Sequence, residues 1–117
     1  MDDLDCIIHE RGVLASLMLD MEEHGYFFSR LSVLDFSAAD NQLLFNSLRL
    51  MKLDNIKLDL RLIKSRLDLD CLDHTWTLEG LWDLIKTADI KNGGHDHLRK
   101  VVANSVKRQL EMIKQKL

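Results

Sequence analysis

Apolar residues recur at intervals of three and four along most of this chain, which is the period of an amphipathic α-helix. The pattern predicts five short helices and then one long helix. In chain order the first four predicted helices occupy residues 4–19, 21–31, 38–53 and 60–67, the fifth begins at residue 78, and the last runs from residue 95 to near the C-terminus. Gly12 falls inside the first pattern, and because glycine weakens a helix we expect the part before Glu10 to form a separate turn.

The centre of the chain, residues 35–67, carries the clearest signals for helix ends. Ser37 is placed to cap the third helix, with Asp40 completing a capping box, and Phe36 is expected to pack into the core just ahead of the cap. The apolar face that follows comprises Leu44, Leu48 and Met51. Asp54-Asn55 ends this helix. Asp59 caps the next one, whose apolar face comprises Leu60, Ile63 and Leu67.

Residues 68–74 are acidic and irregular in pattern, so we expect them to form a loop. Thr77 then predicts the N-cap of the fifth helix. Its apolar side comprises Leu78, Leu81, Trp82 and Ile85. Trp76 precedes the cap, and we regard it as a possible exposed contact for a partner. Asn92-Gly93-Gly94 predicts a turn before the last helix.

The last helix carries an apolar stripe at intervals of four, four, four, three and four residues. Its members are Leu98, Val102, Val106, Leu110, Ile113 and Leu117. At 1.5 Å per residue this helix is roughly 33 Å long, so it is expected to overhang a body built from shorter helices. We therefore expect a globular body at residues 1–93 and a long projecting helix at residues 94–117, both parts of one domain.

Composition supports an all-α fold, a compact bundle of about five short helices followed by the long C-terminal helix. The chain has 117 residues, no proline and 6% aromatic residues, and leucine and charged residues dominate. Strands favour β-branched and aromatic residues instead. The length suggests one domain that folds without disulfides or metal.

Charge divides the chain unequally. Residues 98–117 contain six basic residues and one acid, a net charge of +5, which leaves −8 on the rest of the chain. The basic residues Arg99, Lys100, Lys107 and Arg108 are candidates for a DNA or partner contact. No aromatic residues for stacking on bases are interleaved with them. We favour the alternative, in which the stripe packs on a second copy while the charges remain in water. The self-association residues are Leu98, Val102, Val106, Leu110 and Ile113.

No arrangement typical of a catalytic site stands out, and the pattern points to no cofactor. Two Cys-x-x-His pairs, Cys6 with His9 and Cys71 with His74, have the residue types of a zinc site, but buried cysteines and surface histidines explain them better. The segment His95 to His97 is similarly better explained as exposed first-turn side chains than as a metal or phosphate site. No apolar run is long enough to span a bilayer, and the acidic start is unlike a secretory signal, so a cytoplasmic protein is expected.

An ordered series of short segments resembles the N-terminal domain of DnaB-type replicative helicases. The segments are Glu10-x-x-Val13-Leu14-x-x-Leu17-Met18-Leu19-Asp20, Asp35-Phe36, Leu44-Phe45, Asn55-Ile56-x-Leu58-Asp59-Leu60, Arg66-Leu67, residues 81–88, Asn92, Val101-Val102 and residues 107–110. Each segment alone is unspecific, and the order and spacing carry the resemblance. Departures lie in the loops: Ala38-Ala39-Asp40-Asn41 lacks the family's histidine, Asp73 to Trp76 lacks its Gly-Gly start, and Gly93-Gly94 stands where a Pro or Ser is usual.

The resemblance implies a non-enzymatic domain that assembles with copies of itself, as a dimer or higher ring, and docks primase or a helicase loader. DNA contact would be weak or through the parent helicase. The motor is expected elsewhere, since the phosphate-loop pattern Gly-x-x-x-x-Gly-Lys-Ser/Thr is absent from these 117 residues. Two alternatives remain open: a standalone phage or plasmid regulator that binds a host helicase, and the helicase-binding domain of a primase.

Overall fold

We analysed a computed structural model of the protein, which describes residues 3–56, 59–88 and 94–116, with side chains from Cys6 onward. It is all-α, and no strand occurs among these residues. The helices are α1 (Asp3–Leu19), α2 (Met21–His24), α3 (Phe27–Arg30), α4 (Ala39–Leu53), α5 (Leu60–Asp70), α6 (Leu78–Thr87) and α7 (His95–Lys116), with a 3₁₀ turn at Val33–Asp35. The predicted turn residues Asn92-Gly93, the segment residue Leu58 and the last stripe residue Leu117 lie outside the described part.

Helix α1 is the central helix of the bundle. It packs against α7, α4 and α6, and its side chains from Val13 to Met18 are buried. The predicted break near Gly12 is wrong, because α1 runs unbroken for 17 residues. Gly12 is present for packing: a Cβ at this position would overlap the ring of His97 on α7. The glycine therefore allows two helices to approach closely.

The second predicted helix is two short ones. Asp20 caps α2 by accepting a hydrogen bond from the backbone N–H of Glu23 at 3.1 Å. Gly25 and Tyr26 then separate α2 from α3. This bend places Phe27 in the core, where it is fully buried.

The predicted cap of α4 is wrong. Its N-cap residue is Ala38, which makes no side-chain cap hydrogen bond. The Ser37 hydroxyl donates instead to Glu10 of α1, and Asp40 accepts a hydrogen bond from Thr75 at 2.6 Å. Phe36 packs into the core as expected. A capping box does occur one turn earlier, in the 3₁₀ turn, where the side chain of Asp35 accepts from the backbone N–H of Ser32 at 2.7 Å.

The predicted caps of α5 and α6 are confirmed. Asp59 accepts from the N–H of Arg61 at 2.7 Å, and Thr77 accepts from the N–H of Gly80 at 2.9 Å. The expected loop at residues 68–74 begins too early, because α5 continues to Asp70. Ion pairs four residues apart support this last turn: Lys64 with Asp68, and Arg66 with Asp70.

The exposure of the two tryptophans is the reverse of what the sequence predicts. Trp76 is buried rather than exposed, and its indole N–H donates to the carbonyl oxygen of Asp40 at 2.7 Å. Trp82 is half exposed, because Leu81 and Leu84 form the buried face of α6 instead. Trp76 therefore ties α4 to the segment before α6 and presents little surface to a partner.

Candidate interaction surface

Helix α7 is attached to the body through its first half. Its buried residues are Leu98, Val101, Asn104 and Ser105, and it packs against α1 and the 3₁₀ turn. Every side chain from Gln109 to Lys116 is exposed. The second half of α7 therefore presents all of its faces to solvent.

Two polar contacts fix α7 to the 3₁₀ turn. The Ser105 hydroxyl donates to the carboxylate of Asp35 at 2.6 Å, and the Arg108 guanidinium donates to the carbonyl oxygen of Asp35 at 2.7 Å. The same carboxylate caps its own turn through Ser32. Arg108, proposed from the sequence as a DNA or partner contact, is therefore engaged within the fold.

The predicted apolar stripe divides into two parts. Leu98 is buried in the body, so it is not available to a second copy. The other four described members, Val102, Val106, Leu110 and Ile113, are between 36% and 55% exposed. We call these four residues the α7 stripe.

The geometry of the helix explains this division. One turn takes 3.6 residues, so each step of four residues advances about 40° around the axis. Three such steps carry the row from the core-facing side at Leu98 to the solvent-facing side at Leu110. Val101 and Ser105 occupy the core-facing side instead. The row therefore does not lie on one face of the helix, contrary to the prediction from the sequence.

A row of lysines runs beside the α7 stripe. Lys100, Lys107 and Lys114 are exposed and stand seven residues apart, close to two turns, so they lie on one side of the helix. None of the three forms an ion pair within the described residues. Arg99 is also exposed, but it pairs with Asp96 one turn earlier. Helix α7 thus carries an exposed apolar row and an exposed basic row, and Glu111 lies on the same side as the lysines.

The buried carboxylate of Glu10 joins α1 to the start of α4. It is 1% exposed and accepts hydrogen bonds from the backbone and hydroxyl of Ser37, at 2.9 and 2.6 Å, and from the amide of Asn41 at 3.0 Å. The N–H of Ala38 is a longer fourth donor at 3.4 Å. A carboxylate from another helix therefore binds the backbone N–H groups of the two residues just before α4.

Residues 6–103 match the family model described as DnaB-like helicase N terminal domain. The chain belongs to this family. Comparison with curated proteins and with solved structures gives no significant match. The matched span covers α1 from Cys6 onward, α2 to α6 and the first nine residues of α7.

The DnaB-like domain owes part of its sequence pattern to contacts that hold the helices together. Glu10, which opens the resemblance, caps α4 from α1. Asp35, the first residue of the Asp-Phe pair, fixes α7, and Phe36 fills the core. These roles link residues distant in sequence, so spacing alone did not reveal them.

The four residues considered and disfavoured as zinc ligands are dispersed over the DnaB-like domain. His9 of α1 faces His97 of α7, with 2.9 Å between their Nδ1 atoms, whereas His74 contacts Asp68 at 2.6 Å. Both cysteines are partly buried, and no disulfide joins them. Among the described residues, no three His, Cys, Asp or Glu side chains are grouped to hold a metal ion.

His95 is exposed in the first turn of α7, as predicted, and it contacts the Tyr26 hydroxyl. None of the described helices has the length and apolar character needed to cross a membrane.

Proposed function

We propose that this DnaB-like helicase N-terminal domain is a non-catalytic interaction domain that associates with copies of itself through the α7 stripe. The observation that carries the proposal is the exposure of four aliphatic side chains along the side of α7 that the body leaves uncovered. Removing such side chains from water stabilises an interface at roughly 25 cal/mol per Å² of apolar surface. The charged residues beside them can stay in water.

Paired substitutions in α7 test the proposal. V106E/L110E places two carboxylates in the α7 stripe, and we expect at least a tenfold weaker self-association, because charges are costly to bury unpaired. M112E/Q115E is the matched control, since both residues are exposed on the same helix but lie off the stripe. Light-scattering mass measures association, and circular dichroism checks that both variants remain helical. Unchanged association of V106E/L110E would show that another surface is used.

We further propose that the domain docks primase or a helicase loader, as the family resemblance implies. Family membership supports the setting, a replicative helicase. Immobilised domain should retain purified primase or loader, and V106E/L110E distinguishes a docking surface on α7 from one on the body. Retention of a complete helicase, with no retention of primase or loader, would favour the standalone regulator or the helicase-binding domain of a primase.

A further inference from the structure

Two histidines face each other between α1 and α7, in the first turn of the last helix. The Nδ1 atom of His9 lies 2.9 Å from the Nδ1 atom of His97, although the residues are 88 positions apart in the sequence. Both side chains are partly buried. A proton shared between the two nitrogens accounts for the contact as a hydrogen bond. Two imidazole nitrogens that meet in this way also supply half of the ligands of a four-coordinate metal ion.

The packing of the two helices holds these rings in place. His9 and Gly12 are three residues apart on α1, so they lie on the same side of that helix. The ring of His97 lies over Gly12, so closely that a Cβ at this position would overlap it. The two nitrogens therefore start close together, and a pair of ligands that is already assembled loses less entropy on binding an ion.

The separation of the rings fits a tetrahedral ion. Zinc binds a histidine nitrogen at about 2.0–2.1 Å and the ring centre lies about 1.15 Å behind that nitrogen, so two rings on one ion have centres roughly 5.2 Å apart. The ring centres of His9 and His97 are 5.2 Å apart. A turn of roughly 35° in each ring would aim both nitrogens at the ion and widen their separation from 2.9 Å to roughly 3.3 Å.

A second pair of histidines provides a comparison within the same chain. The ring centres of His24 on α2 and His95 on α7 are 6.4 Å apart, which is too wide for two ligands of one tetrahedral ion. The Nδ1 atom of His24 also contacts the carbonyl oxygen of Asp20 at 2.9 Å, and His95 contacts the Tyr26 hydroxyl. Of these two pairs, the one formed by His9 and His97 has the spacing that a metal ion requires.

We infer that His9 and His97 bind a divalent transition-metal ion such as Zn²⁺ through their Nδ1 atoms, and that the ion fastens α7 to α1. Imidazole is a preferred ligand of these ions, whereas Mg²⁺ and Ca²⁺ prefer oxygen. No group of three His, Cys, Asp or Glu side chains is placed to hold an ion among the described residues, so water completes the coordination and the ion exchanges readily. This inference goes beyond the proposed function and does not depend on self-association.

Adding zinc to the untagged domain at neutral pH tests the inference. About 1 mM Zn²⁺ should raise the midpoint of thermal unfolding by at least about 3 °C, because an ion that binds the folded state stabilises it. Titration calorimetry should give one ion per chain, and Mg²⁺ should have no effect. H97Q removes one ligand, so the rise caused by zinc should disappear. H95A is the matched control, since it removes a histidine two residues away on the same helix and should keep the full rise.

Amide hydrogen exchange tests whether the ion fastens α7. The amides of Leu98 and Val101, buried residues near the start of α7, should exchange more slowly when zinc is added to the wild type. In H97Q the same addition should leave their exchange unchanged. Zinc binding without slower exchange in the wild type would contradict the link between the two helices.

Three results would overturn the zinc site itself. These are an unchanged unfolding midpoint of the wild type in zinc, an equal rise in H97Q and H95A, and a stoichiometry of one ion per two chains, which would place the ion between copies. H9Q repeats the test from α1, and it takes the place of H97Q should that variant not fold. Sedimentation measures self-association separately, so failure of the zinc site leaves the proposed function standing.

Discussion

At the scale of single residues, two carboxylates at long range organise this domain. The carboxylate of Glu10 accepts hydrogen bonds just before α4 from Ser37, which lies 27 residues later in the sequence. Asp35 fixes α7 from a position 70 residues before Ser105. Each accepts from a buried donor, the amide of Asn41 for Glu10 and the hydroxyl of Ser105 for Asp35, and a buried donor without a partner is costly. Single substitutions at such positions should therefore affect the stability of the whole domain.

Replacing Glu10 by glutamine tests the first of these contacts. E10Q keeps the shape but loses the charge, and turns one acceptor oxygen into an NH₂ group facing other donors. We expect the free energy of unfolding to fall by about 2–3 kcal/mol, measured by urea denaturation. E22Q, at an exposed glutamate, should change it by less than about 0.5 kcal/mol. Equal effects of the two substitutions would contradict the role assigned to Glu10.

The ionisation of Asp68 gives a prediction for pH. Hydrogen bonds from Lys64 and then from His74 lower the pKa of Asp68 below its ordinary value of 3.8. A carboxyl whose pKa is lowered by folding contributes stability above its unfolded-state pKa and loses that contribution as pH falls through the folded-state pKa. The wild type should therefore be more stable than D68N near pH 6, and the difference should vanish in acid below pH 3.8.

Urea denaturation from neutral pH to strong acid measures this difference. D73N is the control, since Asp73 has no side-chain partner in the described part of the chain. We expect no such pH-dependent difference for D73N. A stability advantage over D68N that persists undiminished in strong acid would exclude the assigned contacts.

At the scale of helices, the close approach of α1 and α7 depends on Gly12. Alanine normally stabilises a helix relative to glycine by about 1 kcal/mol. G12A should instead lower the free energy of unfolding by about 1–3 kcal/mol, because the added Cβ overlaps the ring of His97. Thermal and urea denaturation measure the change.

Gly80 in α6 provides the control for Gly12. A Cβ there would meet its nearest atom, Oγ1 of Thr77, at 3.3 Å, so G80A should be neutral or slightly stabilising. The double variant G12A/H97A should recover part of the stability lost in G12A. If G12A is more stable than the wild type, α1 and α7 do not meet as described.

The N-cap of a helix could be predicted from the sequence where the capping hydrogen bond is local. The caps Asp59 and Thr77 act within their own first turns, and both predictions are confirmed. The cap of α4 could not be predicted, because its acceptor is on another helix. The burial of Trp76 was missed for the same reason. Its indole N–H donates to the carbonyl oxygen of Asp40, which lies 36 residues away in the sequence.

The division of the α7 stripe was accessible to sequence reasoning and was missed. Successive steps of four residues move a row around the helix, so Leu98 and Leu110 could not share a face. Only the position of the body, which covers Leu98 and leaves Leu110 exposed, required the structure. The self-association set is therefore reduced to Val102, Val106, Leu110 and Ile113, and its role stays a prediction.

At the scale of the whole molecule, the opposite charges of the body and the last helix fit assembly better than a DNA contact. Arg108 is engaged by Asp35, and Arg99 by Asp96. Lys100 and Lys107 remain exposed for DNA, with no aromatic residue along α7 to stack on bases. We therefore keep self-association as the proposed role of α7.

Sedimentation equilibrium of the wild-type domain over a wide range of concentration tests the central claim most directly. The monomer mass is 13.6 kDa. If the α7 stripe joins copies of the domain, the average mass should rise with concentration towards a multiple of this value. A mass that stays at 13.6 kDa into the high micromolar range would contradict self-association and the function proposed from it.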